Sequence, residues 1–226
     1  MISSKAPDPR SGKAAPLSPV PCPPQSPFDW IFEAFKQGAI FTAFDVETTG
    51  LSSKKDSIVE IGAIRFSGQG EIGRYSTLID PGFPMPAGAS QVNNITDEML
   101  AGQPSIQEVL PAFTSFAADS ILVAHNAPFD CGFVNAGLAR LYDDGYATLT
   151  ALPNRVVDTL IMVRRLLPGR ARYNLQDISA SLGIKSQEAH RALDDARLCM
   201  ELFLHLAENM PLLKNTQTRK GGRKRK

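Results

Sequence analysis

The 226-residue sequence predicts an α/β fold, a mixed five-stranded sheet flanked by helices on both faces. Three β-rich segments come first over short links that suit antiparallel neighbours, and strand-like runs then alternate with helical patterns. The length allows one substantial core and is too short for two ordinary domains.

The first strands are AIFTAFDV (39–46), SIVEIGAIRF (57–66) and EIGRYSTLI (71–79). A Pro/Gly-rich loop, DPGFPMPAGAS, leads to the helical pattern SIQEVLPAFTSFA and then to SILVAH (120–125), an apolar run suited to a buried strand. RVVD (155–158) reads as a short fifth strand. Helical patterns occupy 128–141, 159–167, 174–182 and 191–209.

Composition divides the chain at its ends. Residues 1–27 carry eight of the 17 prolines with Ser and Ala, the composition of a disordered arm. The last thirteen residues, KNTQTRKGGRKRK, hold seven Lys or Arg and no acid, and read as a basic disordered tail (214–226). Residues 28–213 then carry 14 basic and 22 acidic side chains, a formal −8 hidden beneath the overall +1. No run of eighteen apolar residues occurs and the N-terminal residues lack the apolar segment of a secretory signal, so a soluble cytoplasmic protein without a membrane partner is expected. Cys22, Cys131 and Cys199 have neither an even count nor metal-site spacing and are expected as free thiols.

Four acids fall where apolar residues belong. Asp45 and Glu47 are two apart, so both project from one face of the first strand at its end, just before Thr-Thr-Gly. In AHNAPFDCGFVNAGL, Asn126 suits a helix N-cap and Pro128 the first turn, and Asp130 shares the apolar face of Phe133, Val134 and Leu138. In the last helix Ala192, Asp195, Ala196, Cys199, Leu202, Phe203 and Leu206 form an apolar stripe. Asp194, Arg197, Glu201, His205 and Glu208 form the polar one, which predicts Asp195 inside and Asp194 in solvent. His190 precedes Asp195 by five residues, about 140° around an ideal helix, so it reaches the same site only from the preceding loop or the first turn. The role of His125, at a strand end, stays open.

A lone inward aspartate is ordinarily a cap or a structural ion pair, but four without matching inward Lys or Arg need another partner. Hard oxygen ligands of this kind suit Mg²⁺ or Mn²⁺ and leave room for water and a substrate phosphate.

FDVETTG (44–50), HNAPFD (125–130) and HRALDD (190–195) together resemble the motifs of the DEDDh 3′→5′ exonucleases, the family of the epsilon-type proofreading subunits of bacterial DNA polymerase III. The likeness covers roughly 38–206. It implies a ribonuclease H-like fold over an exonuclease domain expected at 28–213, and release of nucleoside monophosphates from DNA 3′ ends. It also implies two Mg²⁺ (or Mn²⁺) ions held by Asp45, Glu47, Asp130 and Asp195, with His190 as general base. Thr48, Thr49, Leu51, His125 and Asn126 match positions that touch the terminal nucleotide. The chain departs from the epsilon pattern VHGI, reading VNNI at 92–95, so Asn93 stands in place of a histidine.

Three functions stay compatible with these residues. They are a DNA-directed exonuclease, alone or with a DNA polymerase partner; an RNA-directed relative; and a non-enzymatic adaptor working through its Pro-rich arm and tail. The tail residues Arg219, Lys220, Arg223, Lys224, Arg225 and Lys226 suit phosphate contacts without sequence preference, and equally a solvated tail or a targeting signal.

Overall fold

The computed structural model describes residues 27–188 and 190–221, with side chains through Asn209. Most of the arm, with Cys22, and the tail residues Arg223, Lys224, Arg225 and Lys226 lie outside the described residues.

Five strands form one sheet in the order β3-β2-β1-β4-β5. They are β1 (Phe41–Thr48), β2 (Ile58–Ser67), β3 (Gly70–Leu78), β4 (Ile121–Ala124) and β5 (Val156–Asp158). β1, β2 and β3 pair antiparallel, whereas β1, β4 and β5 pair parallel, as the change from hairpins to helical crossovers dictates. The central strand β1 alternates strictly. Phe41 and Ala43 enter a core beneath α1 (Asp29–Lys36), α6 (Thr159–Leu166), α7 (Leu175–Ser181) and α8 (Ala192–Gly221). Phe44 and Val46 enter the opposite core, beneath α4 (Ile106–Phe116) and α5 (Ala127–Asp143). Continuing that alternation puts Asp45 and Glu47 on the α8 side.

Two regions differ from expectation. α1 forms beside the proline arm because Phe28 and Ile31 bury against the α8 core and Trp30 lies under the Arg155 guanidinium, 3.6 Å from its ring centre. An eight-residue helix has no standing alone, so tertiary burial supplies its stability. The Pro/Gly-rich stretch also contains α2 (Ala87–Asn93) and opens toward α3 (Asp97–Leu100), gathered round a small core of Val59, Met85, Ile95 and Leu100.

α8 also runs further than its apolar pattern. Its backbone stays helical to Gly221, into the segment expected to be a disordered tail and through Arg219 and Lys220. Propagating a formed helix through Leu, Lys, Gln and Arg costs little compared with nucleating one. No helix among the described residues is long and apolar enough to cross a membrane. Cys131 and Cys199 are free thiols.

Candidate active site

The end of β1 is built to receive α8. Gly62 stands opposite Asp45 in the β1–β2 ladder, and a Cβ there would come within 2.2 Å of the Ala192 carbonyl carbon. The bare glycine lets the first turn of α8 rest on the sheet. Asp195 is thereby brought to the two strand acids: Asp45, Glu47 and Asp195 each offer an oxygen, all within 4.8 Å of one another. Gln176 of α7 donates to Asp195 Oδ1 at 2.8 Å and orients it.

Asp130 arrives from the other core. β4 ends at Ala124, and in the first turn of α5 the buried Asp130 accepts the Val46 amide at 3.2 Å. Its charge acts on Asp45.

Burial and mutual repulsion hold all four carboxyls above their ordinary range. Asp45 is raised well above it by desolvation, and then by Asp130, Asp195 and Glu47. Desolvation and the Asp195 and Glu60 charges push Glu47 up to about 8, against a hydrogen bond from Asn93. Desolvation pushes Asp130 up to about 8, opposed by the Val46 amide. Asp195 rises to about 6, again chiefly by burial, with the neighbouring His190 opposing. Among the described residues no Lys or Arg ion pair reaches these four. An uncompensated set of hard oxygen donors is what a divalent cation requires.

His190 lies in the turn immediately before α8, exposed and with a left-handed backbone (φ 61°). That placement meets the requirement set by its five-residue spacing from Asp195.

Asp194 corrects the stripe argument. It is buried, accepting from the Ser186 hydroxyl at 2.7 Å, the Gln187 and Glu188 amides at 2.9 and 3.0 Å, and Arg197 at 2.7 Å. These donors hold its carboxyl below the ordinary range against the burial that would raise it. α8 is packed by the sheet on one side and by the 185–188 loop on another, so both aspartates face protein.

Two residues of this region were missing from the sequence account. Glu60, 2% exposed, stands opposite Glu47 in the ladder and accepts from Arg191 and from the Ala192 amide. A charge within the otherwise apolar SIVEIGAI was the available signal. Arg191 is a cation turned toward the sheet, but it serves Glu60, so among the described residues the four acids have no Lys or Arg ion-pair partner, as the sequence predicts.

The residues matched to nucleotide contact separate into two groups. Thr48 and Thr49 are buried and their hydroxyls close the turn, Thr48 donating to the Gly50 carbonyl at 2.6 Å and Thr49 accepting the Ser57 amide at 2.9 Å. Both His125 ring nitrogens are engaged, Nδ1 with Thr159 at 3.0 Å and Nε2 with the Tyr173 carbonyl at 2.8 Å, and burial holds its pKa below the ordinary value. Asn126 occupies the N-cap position of α5 but makes no side-chain cap bond. Its backbone is left-handed (φ 71°), a conformation asparagine tolerates, and its side chain is exposed. Leu51 is 88% exposed at the rim of a cavity of about 390 Å³ beside Glu47, also lined by Val92, Asn93 and Phe129. Asn93 is buried, its amide 3.4 Å from the Thr48 carbonyl.

With this geometry in view, the profile of the Exonuclease family matches residues 42–203. The chain belongs to the exonuclease family. The DNA polymerase III subunit epsilon of Treponema pallidum is 44% identical over 178 residues, which is 78% of this chain and 80% of that protein. The DNA polymerase III PolC-type of Clostridium perfringens is 41% identical over 72% of this chain, and the match spans only 11% of that longer protein. Among solved structures, exonuclease X in complex with 5′ overhanging duplex DNA superposes with a TM-score of 0.61 at 26% identity, covering 75% of this chain and 92% of that one. The five-stranded mixed sheet of this exonuclease domain is the ribonuclease H-like fold.

Proposed function

We propose that this chain is a metal-dependent 3′→5′ exonuclease that releases nucleoside monophosphates from DNA 3′ ends, in proofreading or repair. The observation that carries it is the convergence of Asp45, Glu47 and Asp195 within 4.8 Å, backed by Asp130 and bordered by His190 and an apolar-walled cavity.

Asp45, Glu47, Asp130 and Asp195 would hold two Mg²⁺ or Mn²⁺ ions, whose charge would offset the repulsion among the acids and stabilise the attacking and leaving oxygens of an in-line displacement at phosphorus. The terminal base would enter the cavity against Leu51, Val92 and Phe129, while buried Thr48 and Thr49 and half-buried His125 hold the surrounding backbone. His190, exposed beside Asp195, takes the proton of the attacking water. The electron pair of that oxygen forms the new P–O bond as the 3′ oxygen of the preceding nucleotide leaves. No bond to the protein is formed.

The named relative that matches along most of its length is a DNA polymerase III subunit, which favours DNA over RNA and supports work beside a polymerase in the cytoplasm. A non-enzymatic adaptor is disfavoured by the intact acid set. The test is an assay on 3′-mismatched and paired DNA duplexes, single-stranded DNA and RNA, each labelled at the 5′ end, with and without Mg²⁺. A Mg²⁺-dependent ladder shortening DNA from its 3′ end is expected. Preference for RNA, or no shortening of any substrate, overturns the proposal.

A further inference from the structure

Residues 28–213 hold 14 basic side chains against 22 acidic ones, so a polyanion needs a local reversal of charge to approach. Six arginines among the fourteen are engaged within the fold. Arg65 donates to the Phe116 and Ala118 carbonyls at 2.7 Å, Arg74 pairs with Glu71, Arg140 donates to the Ser53 carbonyl, and Arg155 lies over Trp30. Arg191 and Arg197 serve Glu60 and Asp194.

Four of the fourteen fall within nine residues, RRLLPGRAR (164–172), a stretch without an acid. Arg164, Arg165, Arg170 and Arg172 are all exposed. The bend that carries the last two has a defined shape: the Tyr173 hydroxyl donates to the Leu167 carbonyl and accepts the Arg170 amide, each at 3.2 Å. The Arg164 guanidinium lies 6.0 Å from the centre of the Tyr173 ring. Arg172, 77% exposed, makes a loose contact of 3.8 Å with Asp177.

The bend is tied to the site at two points. The Tyr173 carbonyl meets His125 Nε2 at 2.8 Å, and Gln176, in the first turn of α7, meets Asp195 at 2.8 Å. The cavity, by contrast, is lined by Glu47. The acids therefore meet an apolar-walled cavity through Glu47 and, through Asp195 and Gln176, the helix that directly follows the basic bend.

We propose that the 167–173 bend, through Arg170 and Arg172, is the phosphate-contact surface for the part of a DNA strand 5′ of the scissile bond. The proposal rests on the exonuclease function above. A strand whose terminal nucleotide fills the cavity crosses the acids with its scissile phosphate and then runs over the bend, where guanidinium groups meet successive phosphates without reading bases. Charge supplied on the Asp195 side attracts the strand in the direction that threads its end into the site.

The experiment measures binding of fluorescein-labelled dT12 by anisotropy over a range of salt, with full-length protein carrying Asp45→Asn so that the strand stays intact. Adding Arg170→Ala/Arg172→Ala should lower the slope of log K against log salt by about 1.4, two single-strand phosphate contacts at about 0.7 each. In the otherwise unaltered enzyme the same pair should raise KM more for long oligonucleotides than for dinucleotides. Arg170→Lys/Arg172→Lys should retain most of the slope, because the charge remains. The charge-matched pair Lys36→Ala/Arg74→Ala, on α1 and at the β3 edge, should leave the slope as in the parent.

An unchanged slope with Arg170→Ala/Arg172→Ala overturns the proposal, and so does an equal fall with the control pair, which would make net charge the cause. Degradation of labelled DNA by the enzyme with Asp45 intact is measured alongside. Inactivity of that enzyme overturns the exonuclease function, whereas activity together with an unchanged slope overturns only the role of the bend.

Discussion

Arg191 spans the buried carboxylate of Glu60, Nη2 to Oε1 at 2.9 Å and Nε to Oε2 at 3.2 Å, while the Ala192 amide donates to the same group at 3.1 Å. This clamp fixes the chain immediately after His190 to the strand opposite Glu47. Arg191→Met leaves Glu60 buried and without its cation, so unfolding in urea should show a loss of about 3 kcal/mol. Glu60→Gln/Arg191→Met removes both charges and should recover part of that loss. Equal stability of the two variants would show that the charge pairing contributes nothing.

Asp194 is expected to matter although it lies outside the acid cluster. Asp194→Asn exchanges one acceptor oxygen for a donor among the Ser186 hydroxyl, two amides and Arg197. A stability loss of about 1–3 kcal/mol is expected from the unsatisfied groups. Because the 186–188 loop leads to His190, kcat should fall more than KM rises, and Mg²⁺ affinity should stay close to the parent's. Asp195→Asn should instead remove metal binding. Indistinguishable effects of the two variants on Mg²⁺ affinity would reject this division.

His190→Ala should leave the thermal midpoint close to the parent's, since the side chain is exposed. It should lower kcat by about 10²- to 10⁴-fold, the range for loss of a general base. A variant that keeps full activity would assign the proton transfer elsewhere.

In metal-free protein the four raised carboxyls set the sign of the pH dependence. Each binds its proton more tightly folded than unfolded, so between about pH 4, the unfolded value, and the folded values the native state holds more protons. Stability therefore falls as pH rises through about 6 for Asp195 and about 8 for Glu47 and Asp130. Mg²⁺ prefers the ionised acids and should raise the melting temperature more at pH 8 than at pH 5. Melting curves in EDTA and in excess Mg²⁺ across that range check both signs. A metal-independent pH profile would remove the acids as the cation site.

Gly62→Ala should separate α8 from the sheet, because the added Cβ would lie 2.2 Å from backbone atoms of Ala192 and Leu193. Neither neighbour is a flexible side-chain end. A cost of about 1–3 kcal/mol is expected for such overpacking, with a loss of Mg²⁺ affinity as Asp195 moves away from Asp45. Full retention of metal affinity would mean that the helix shifts without moving its acid.

Local pattern alone located the five strands and the helices from α4 onward, because buried runs and 3.6-residue stripes record which face meets a core. It also isolated Asp45, Glu47, Asp130 and Asp195, since an acid on an apolar face breaks the pattern wherever its partner lies. α1 and α2 were not legible for a complementary reason: helices this short depend on a surface supplied from elsewhere in the chain.

The burial of Asp194 and Glu60 was decided only by tertiary structure. A helical stripe assumes one packing surface, and α8 meets the sheet on one side and the 185–188 loop on another. Arg191 and Glu60 are 131 residues apart, so no periodicity links them. The same holds for the contacts that join His125 to Tyr173 and Gln176 to Asp195, which bring the basic bend to the site. Residue types and spacing specify which strands and helix faces leave water, but three-dimensional closure decides which further charges are buried and assigns each its partner.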